Sequence, residues 1–258
     1  MESSAFQEQF EKTLKQLRKD MNMKKLGVQI TAFNEERFIR PVCLQFKDSD
    51  IKIVVAVSLK SWNGNLKAGN TFSLVPSRVD LMSTYSWKDE AEQRNWCMEN
   101  LDDCDYVLVC HADTFFTQED IQKIKDFIQT ATERQYDIQT KMYWKDLDTV
   151  VQPDPILKAM LIRKDVRFVE NIRIEDQVAS APIVPDVICH HLSWAKTDEE
   201  IKTKIATYGH ANEIVPSWYE EVWLKDQDYD FAPTNPTDYK YKVHYSCPEE
   251  IRRYFETT

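Results

Sequence analysis

Two short polar pairs each follow an apolar run: His111-Ala112-Asp113 comes after Asp105 to Cys110, and His190-His191 comes after Val187-Ile188-Cys189. Imidazole and carboxylate side chains can hold a divalent ion while leaving positions open for phosphate oxygens. One carboxylate with one imidazole suits Mn²⁺ better than Mg²⁺. Asp113 and His191 are therefore the expected metal ligands. Each histidine also has an ordinary structural reading, His111 as a cap on the sheet and His190 as a core histidine with its hydrogen bonds satisfied.

The elements that must position these pairs can be read from the spacing of apolar residues. Leu26 to Ala32, Ile51 to Leu59 and Asp105 to Cys110 are nearly continuous apolar runs, as expected for strands covered on both faces. Asp89 to Leu101 reads as a helix. Thr117 with Asp120 caps another, whose Ile121, Ile124, Phe127 and Ile128 share a face, and Thr197 with Glu200 boxes a third that carries Ile201, Ile205 and Tyr208 inward. Near the N-terminus, Ser4 and Gln7 form a capping box for an amphipathic helix bearing Phe6, Phe10, Leu14, Leu17 and Met21. Beyond Tyr136 the pattern is less regular, with Pro153, Pro155, Pro182 and Pro185 marking extended or looped segments. Strand, acidic turn and helix in that order predict an open α/β sheet, which binds ligands at the carboxyl ends of its strands.

Composition narrows the chemistry. The chain has 258 residues, 42% of them hydrophobic, with 33 Lys and Arg against 43 Asp and Glu, for a formal charge of −10. That balance repels a bare nucleic-acid backbone or an anionic membrane. Only 4 residues are glycine, against about 18 in an average chain of this length, and none are spaced as Gly-x-Gly, so the dinucleotide fingerprint is missing. Gly64 and Gly69 are placed as in a P-loop, but Asn70 stands where the phosphate-binding lysine belongs, and the stretch reads as an ordinary turn. The six cysteines contain no C-x-x-C pair, which favours buried thiols in a reducing compartment. With no long apolar run and a polar N-terminus, a cytoplasmic protein without membrane insertion is expected.

Four separated segments resemble the GT-A glycosyltransferases, nucleotide-sugar-dependent enzymes related to the large family-two type. Gly27 to Glu36, ending Ala32-Phe33-Asn34-Glu35-Glu36, is similar to the opening strand and its Tyr-Asn-Glu-Glu turn, with Phe33 at the tyrosine. Glu92-Gln93-Arg94-Asn95 resembles the helix with the Ala-Arg-Asn signature. Asp105 through Asp113 resembles the strand that ends in Asp-x-Asp, and His190 to Trp194 resembles the late metal-binding histidine segment. Two departures stand out. His111 replaces the first Asp of Asp-x-Asp, and Ala56-Val57-Ser58 lacks the acidic residue that usually follows the second strand.

The resemblance implies a GT-A type α/β fold, a central mixed and mostly parallel sheet flanked by helices with a Rossmann-like nucleotide half. The expected organisation is the N-terminal helix read from its spacing over residues 1–24, a catalytic domain over 25–215 and an aromatic-rich extension over 216–258, the helix and the extension having no equivalent in the family. The resemblance implies transfer from a nucleotide-diphosphate sugar, most commonly a UDP-sugar, with Mn²⁺ or Mg²⁺. The acceptor hydroxyl could belong to a glycan, a protein or a modified nucleobase. Ala32, Phe33, Glu35, Ser58, Arg94, His111, Ala112 and Lys196 are the expected nucleotide contacts, with Phe33 against the base and Lys196 near a phosphate. Glu175-Asp176 leads as the pair that would take the acceptor's proton, with Asp186 in reserve. Tyr143, Trp144, His190, Trp194 and Trp218 are candidates for a platform against the apolar face of a sugar, or equally for core packing. His210 is a helix C-cap or a late phosphate contact. A sugar nucleotidyltransferase and a noncatalytic carbohydrate-binding module with this fold remain alternatives.

Overall fold

The computed structural model describes residues 23–46, 50–64, 66–207, 211–227 and 229–256. The helix expected over residues 1–24 lies outside these described residues except for Met23 and Lys24, which are not helical, and the readings on Tyr208 and His210 also lie outside them. The chain runs β1 (Leu26–Ala32), α1 (Ile39–Leu44), β2 (Lys52–Ser58), β3 (Leu81–Tyr85), α2 (Glu90–Glu99), β4 (Tyr106–His111), β5 (Thr114–Phe115) and α3 (Gln118–Thr130). It continues through β6 (Gln135–Trp144), β7 (Thr149–Gln152), β8 (Ile156–Arg163), β9 (Phe168–Glu170), β10 (Arg173–Ile174), β11 (Ile183–Trp194) and α4 (Asp198–Thr207). β12 (Tyr229–Ala232), β13 (Asn235–His244) and α5 (Glu249–Glu256) follow.

One eleven-stranded sheet carries the order β12-β13-β7-β6-β8-β4-β1-β2-β3, with β11 joined to both β6 and β5. The pairings β1–β2, β1–β4 and β2–β3 are parallel, as is β11–β6, whereas β4–β8 and β6–β8 are antiparallel. This is the mixed α/β sheet expected, parallel at its centre and covered by helices on both faces.

Alternation along the central strands explains the two coverings. Val28, Ile30, Ile53, Val55, Leu108 and Cys110 face one layer, where α1, α3 and α5 contribute Val42, Ile124 and Ile251. Val54, Ala56, Val107 and Val109 face the other, against Ala91, Cys97 and Met98 of α2. Side chains that switch face every second residue make a doubly covered strand apolar throughout, which is why these runs were legible. Gly27 sits on β1 where a Cβ would lie 2.8 Å from Cys104 Sγ and 2.9 Å from Leu101, so the turn after α2 packs directly on its backbone.

The caps also follow the sequence. Asp89 accepts from the Glu92 amide at the start of α2, and Thr117 with Asp120 forms the full capping box of α3. Glu200 Oε2 accepts from the Thr197 amide at 2.7 Å while Thr197 Oγ1 accepts from the Glu200 amide at 3.3 Å. All six cysteines are buried and free. The proline-marked region is not mainly loop but the antiparallel half of the sheet. Beyond residue 216, β13 pairs with β7, and Cys247 and Ile251 enter the main core. No helix among the described residues is long and apolar enough to cross a membrane.

Candidate active site

A cleft of about 700 Å³ opens where β1 ends at Ala32 and β4 ends at His111, the carboxyl ends of two neighbouring parallel strands. The polar segment from β11 reaches it by a specific pairing. β5 lies antiparallel to β11 with His191 opposite Thr114, and the Leu192 amide donates to the Asp113 carbonyl at 2.9 Å. Residues 78 positions apart are thereby held side by side. Ligand atoms of His111, Asp113 and His191 all lie within 4.8 Å of one another.

Within this cluster His191 Nε2 lies 3.1 Å from Asp113 Oδ1, and Lys204 Nζ lies 3.4 Å from Asp113 Oδ2. The His111 and His191 rings stack with centroids 5.5 Å apart. Burial, followed by the Arg94 guanidinium and His191, holds His111 well below its ordinary value, which leaves its imidazole neutral. Burial opposes ionisation of Asp113, but Lys204, His191 and Lys196 together hold its carboxyl well below the usual range. A neutral imidazole and an ionised carboxylate are the forms that ligate a cation. Nδ1 of His111 and Nδ1 of His191 are both buried without a hydrogen-bond partner, which is costly unless a ligand or ion offsets it. Two imidazoles and a carboxylate are a donor set suited to a transition ion such as Mn²⁺, so these residues fit the metal that the sequence implied. His111, expected among the nucleotide contacts, sits inside the ion cluster.

The structure brings Ala32, Phe33, Glu35, Ala112, Lys196 and Trp194 to the wall of the same cleft. Lys196 Nζ donates to Glu35 Oε2 at 2.5 Å and lies 4.3 Å from the centroid of the Phe38 ring. Burial works against the Lys196 charge, yet Glu35 and Asp113 outweigh it and raise its pKa.

Other expected contacts do not reach the cleft. Ser58 is fully buried and donates its hydroxyl to the Lys60 carbonyl at 2.7 Å. Arg94 is also fully buried, giving Nε and Nη2 to Glu90 Oε1 at 2.8 and 2.6 Å. Its link to the site runs through Glu90, which lines the cleft and lies 3.9 Å from His111 Nε2. Glu175 and Asp176 are exposed and line a separate cavity of about 160 Å³ with Arg134 and Val178. Asp186 is exposed on β11, and its carbonyl accepts from Lys123.

The aromatic platform is mostly core. Tyr143 is buried, and its hydroxyl is 2.8 Å from His190 Nδ1. Burial pulls His190 down to about 4, so it is the neutral core histidine of the alternative reading. Trp144, Trp194, Trp218 and Trp223 form a cluster of their own, and of the expected platform residues Trp194 alone lines the cleft. Aromatic side chains carry so much apolar area that packing outcompetes exposure for most of them.

Several cleft residues were not singled out from the sequence. Lys204 and Trp62 had no motif around them. Glu90 carried one usable signal, its i,i+4 relation to Arg94. The supposed ordinary turn at Gly69 is part of the cleft wall. The Gly69 amide donates to Asn34 Oδ1 at 2.7 Å and the Asn70 amide to Glu36 Oε1 at 2.8 Å, while a Cβ on Gly69 would sit 2.4 Å from Glu36 Oε1.

No protein-family model and no curated protein matches the chain. Among solved structures it is similar to S. aureus TarS 1-349 in complex with UDP-GlcNAc, at 14% identity and TM-score 0.40, covering 64% of this chain and 55% of that chain. It is similar to mannosyltransferase PcManGT from Pyrobaculum calidifontis in complex with GDP-Man and Mn²⁺, at 13% identity and TM-score 0.43, covering 66% and 57%. A third is glucosyl-3-phosphoglycerate synthase from Mycobacterium tuberculosis in complex with Mn²⁺, UDP and glucosyl-3-phosphoglycerate, at 13% identity and TM-score 0.36, covering 46% and 44%. The chain thus spans about half the length of these solved chains.

Proposed function

We propose that this protein transfers a sugar from a nucleotide-diphosphate sugar, with a UDP-sugar as the favoured donor, to a hydroxyl acceptor, assisted by Mn²⁺ or Mg²⁺. The observation that carries this reading is the convergence of His111, Asp113 and His191 within 4.8 Å at a cleft on parallel strand ends. These three residues would hold the cation, whose positive charge offsets the charge that develops on the departing diphosphate. Phe33 offers a ring for the nucleobase, and Lys196 adds a buried cation on the same wall. Among the carboxylates expected to deprotonate the acceptor, neither Glu175 nor Asp176 lines this cleft, so the reading assigns the base no residue.

The test is a thermal-shift panel of nucleoside diphosphates with and without Mn²⁺, on the wild-type chain and on Asp113→Ala, since a ligand that binds the folded state raises its stability by mass action. A metal-dependent rise with one nucleotide, lost in Asp113→Ala and accompanied by release of nucleoside diphosphate from the matching nucleotide sugar, is expected. Absence of any metal-dependent rise would overturn the proposal. Glycan binding that survives Asp113→Ala without any turnover would identify the noncatalytic module instead.

A further inference from the structure

Among the described residues Lys204 makes a close ionic contact with the candidate ligand Asp113, and its surroundings are built for it. From α4 its Nζ meets Asp113 Oδ2 at 3.4 Å, donates to Ser193 Oγ at 2.7 Å and lies 5.5 Å from the centroid of the Trp194 ring. His191 Nε2 takes the other Asp113 oxygen at 3.1 Å. Both oxygens of the one carboxylate in the cluster are therefore engaged, one by a candidate co-ligand and one by a fixed positive charge. The lysine also lines the cleft.

The cleft is lined by more acids than bases, Glu36, Glu199 and Glu200 among them, but the groups nearest the candidate ligands are already paired. Asp113, Glu35 and Glu90 face Lys204, Lys196 and Arg94 respectively through close contacts. A divalent cation entering alone would add two positive charges beside two lysines in a partly dehydrated site, where repulsion is weakly screened. A nucleoside diphosphate entering with it supplies negative charge next to Lys204 and a new acceptor for the ammonium group.

We infer that Lys204 is a resident counter-ion that exchanges partners, holding Asp113 when the cleft is empty and passing to the diphosphate of the donor when metal and nucleotide bind together. The inference rests on the glycosyl-transfer reading above. It assigns Lys204 a binding role and makes a prediction of opposite signs. Removing the lysine relieves the competition for Asp113 and tightens binding of the metal alone, while weakening nucleotide binding in the presence of metal. A lysine that merely supported the fold would weaken both or neither.

The experiment measures Mn²⁺ affinity without nucleotide, by the loss of the free-ion electron paramagnetic resonance signal, and UDP and GDP affinity at saturating Mn²⁺, by calorimetry. Wild type, Lys204→Met and Lys204→Arg are compared. Lys204→Met is expected to bind Mn²⁺ more tightly and nucleoside diphosphate more weakly, each by about tenfold, within the usual range of coupling between sites. Lys204→Arg keeps the charge and is expected to stay near wild type on both. Unchanged or weaker Mn²⁺ binding in Lys204→Met overturns the inference alone. Wild-type protein that binds neither Mn²⁺ nor nucleotide overturns the glycosyl-transfer reading and the inference with it. Amine-reactive labelling of the wild-type chain, read by mass spectrometry, gives the same answer even if the methionine variant fails to fold. Mn²⁺ alone should raise labelling of Lys204 and Mn²⁺ with nucleotide should lower it, and labelling indifferent to both overturns the exchange.

Discussion

The floor of the cleft and the tryptophan cluster beside it share a wall, with Trp194 in both, yet they bury their polar atoms in opposite ways. In the cluster, polar ring atoms find protein partners: Trp144 Nε1 donates to Asp226 at 2.9 Å and Trp223 Nε1 to Asp198 at 2.8 Å. On the floor, Nδ1 of His111 and of His191 find none. A buried aromatic with its N–H satisfied is doing what cores require, whereas a buried ring nitrogen left unpaired among charges is a place for a ligand. The difference separates two groups of residues that looked equally functional in the sequence.

The largest expected break in this comparison is Trp223→Ala. Trp223 is fully buried, and truncating such a side chain costs about 3–5 kcal/mol, which lowers the melting temperature by roughly 10 °C in a chain of this size. Calorimetry should show that loss while the folded fraction still binds Mn²⁺ and nucleotide. Unchanged melting with lost nucleotide binding would move the tryptophans into the site and erase the distinction.

Phe33→Ala tests the cleft wall at a smaller scale. Loss of a stacking ring is expected to weaken nucleoside diphosphate binding by about 1–3 kcal/mol and to leave inorganic pyrophosphate binding as it was. Equal weakening of both ligands would mean that the ring supports the wall rather than the base.

Glu175→Gln together with Asp176→Asn should change stability by no more than about 0.5–1 kcal/mol, since asparagine tolerates the positive φ of Asp176 and its ion pair with Arg134 is exposed, and should leave turnover unchanged. A marked loss of turnover would return the acceptor's base to the second cavity. The thiols give the smallest signal. Burial pushes Cys43 and Cys97 up to about 12, so the reactive thiolate is scarce at neutral pH. A disulfide reagent at pH 8 should label neither until denaturant is added, and rapid native labelling would show the layers beside the site to be open.

Much of the fold was legible because its signals are local. β1, β2 and β4 came from continuous apolar runs, and α2, α3 and α4 from caps and helical spacing, each a matter of residues within a few positions of one another. The antiparallel half was not legible. β6, β7 and β8 are separated by prolines and polar residues, and their pairing depends on partners far along the chain. In the site, Asp113 and His191 stood out because they follow apolar runs, although β11 continues past His191 to Trp194, while Ser58 and Arg94 were placed in the cleft by motif position and turned out to point into the interior. Glu175-Asp176 was a motif match on an exposed turn.

By itself, then, the sequence determined the central strands, their capped helices and the placing of polar groups at strand ends, since periodicity and capping act over a few residues. Only the tertiary structure decided which of those groups meet. The β5–β11 pairing set His191 beside Asp113, the docking of α4 delivered Lys204 to the same carboxylate, and close packing drew Trp144 and Trp218 inward. Such convergence is settled by register and burial across distant segments, and no short window of residues contains that information.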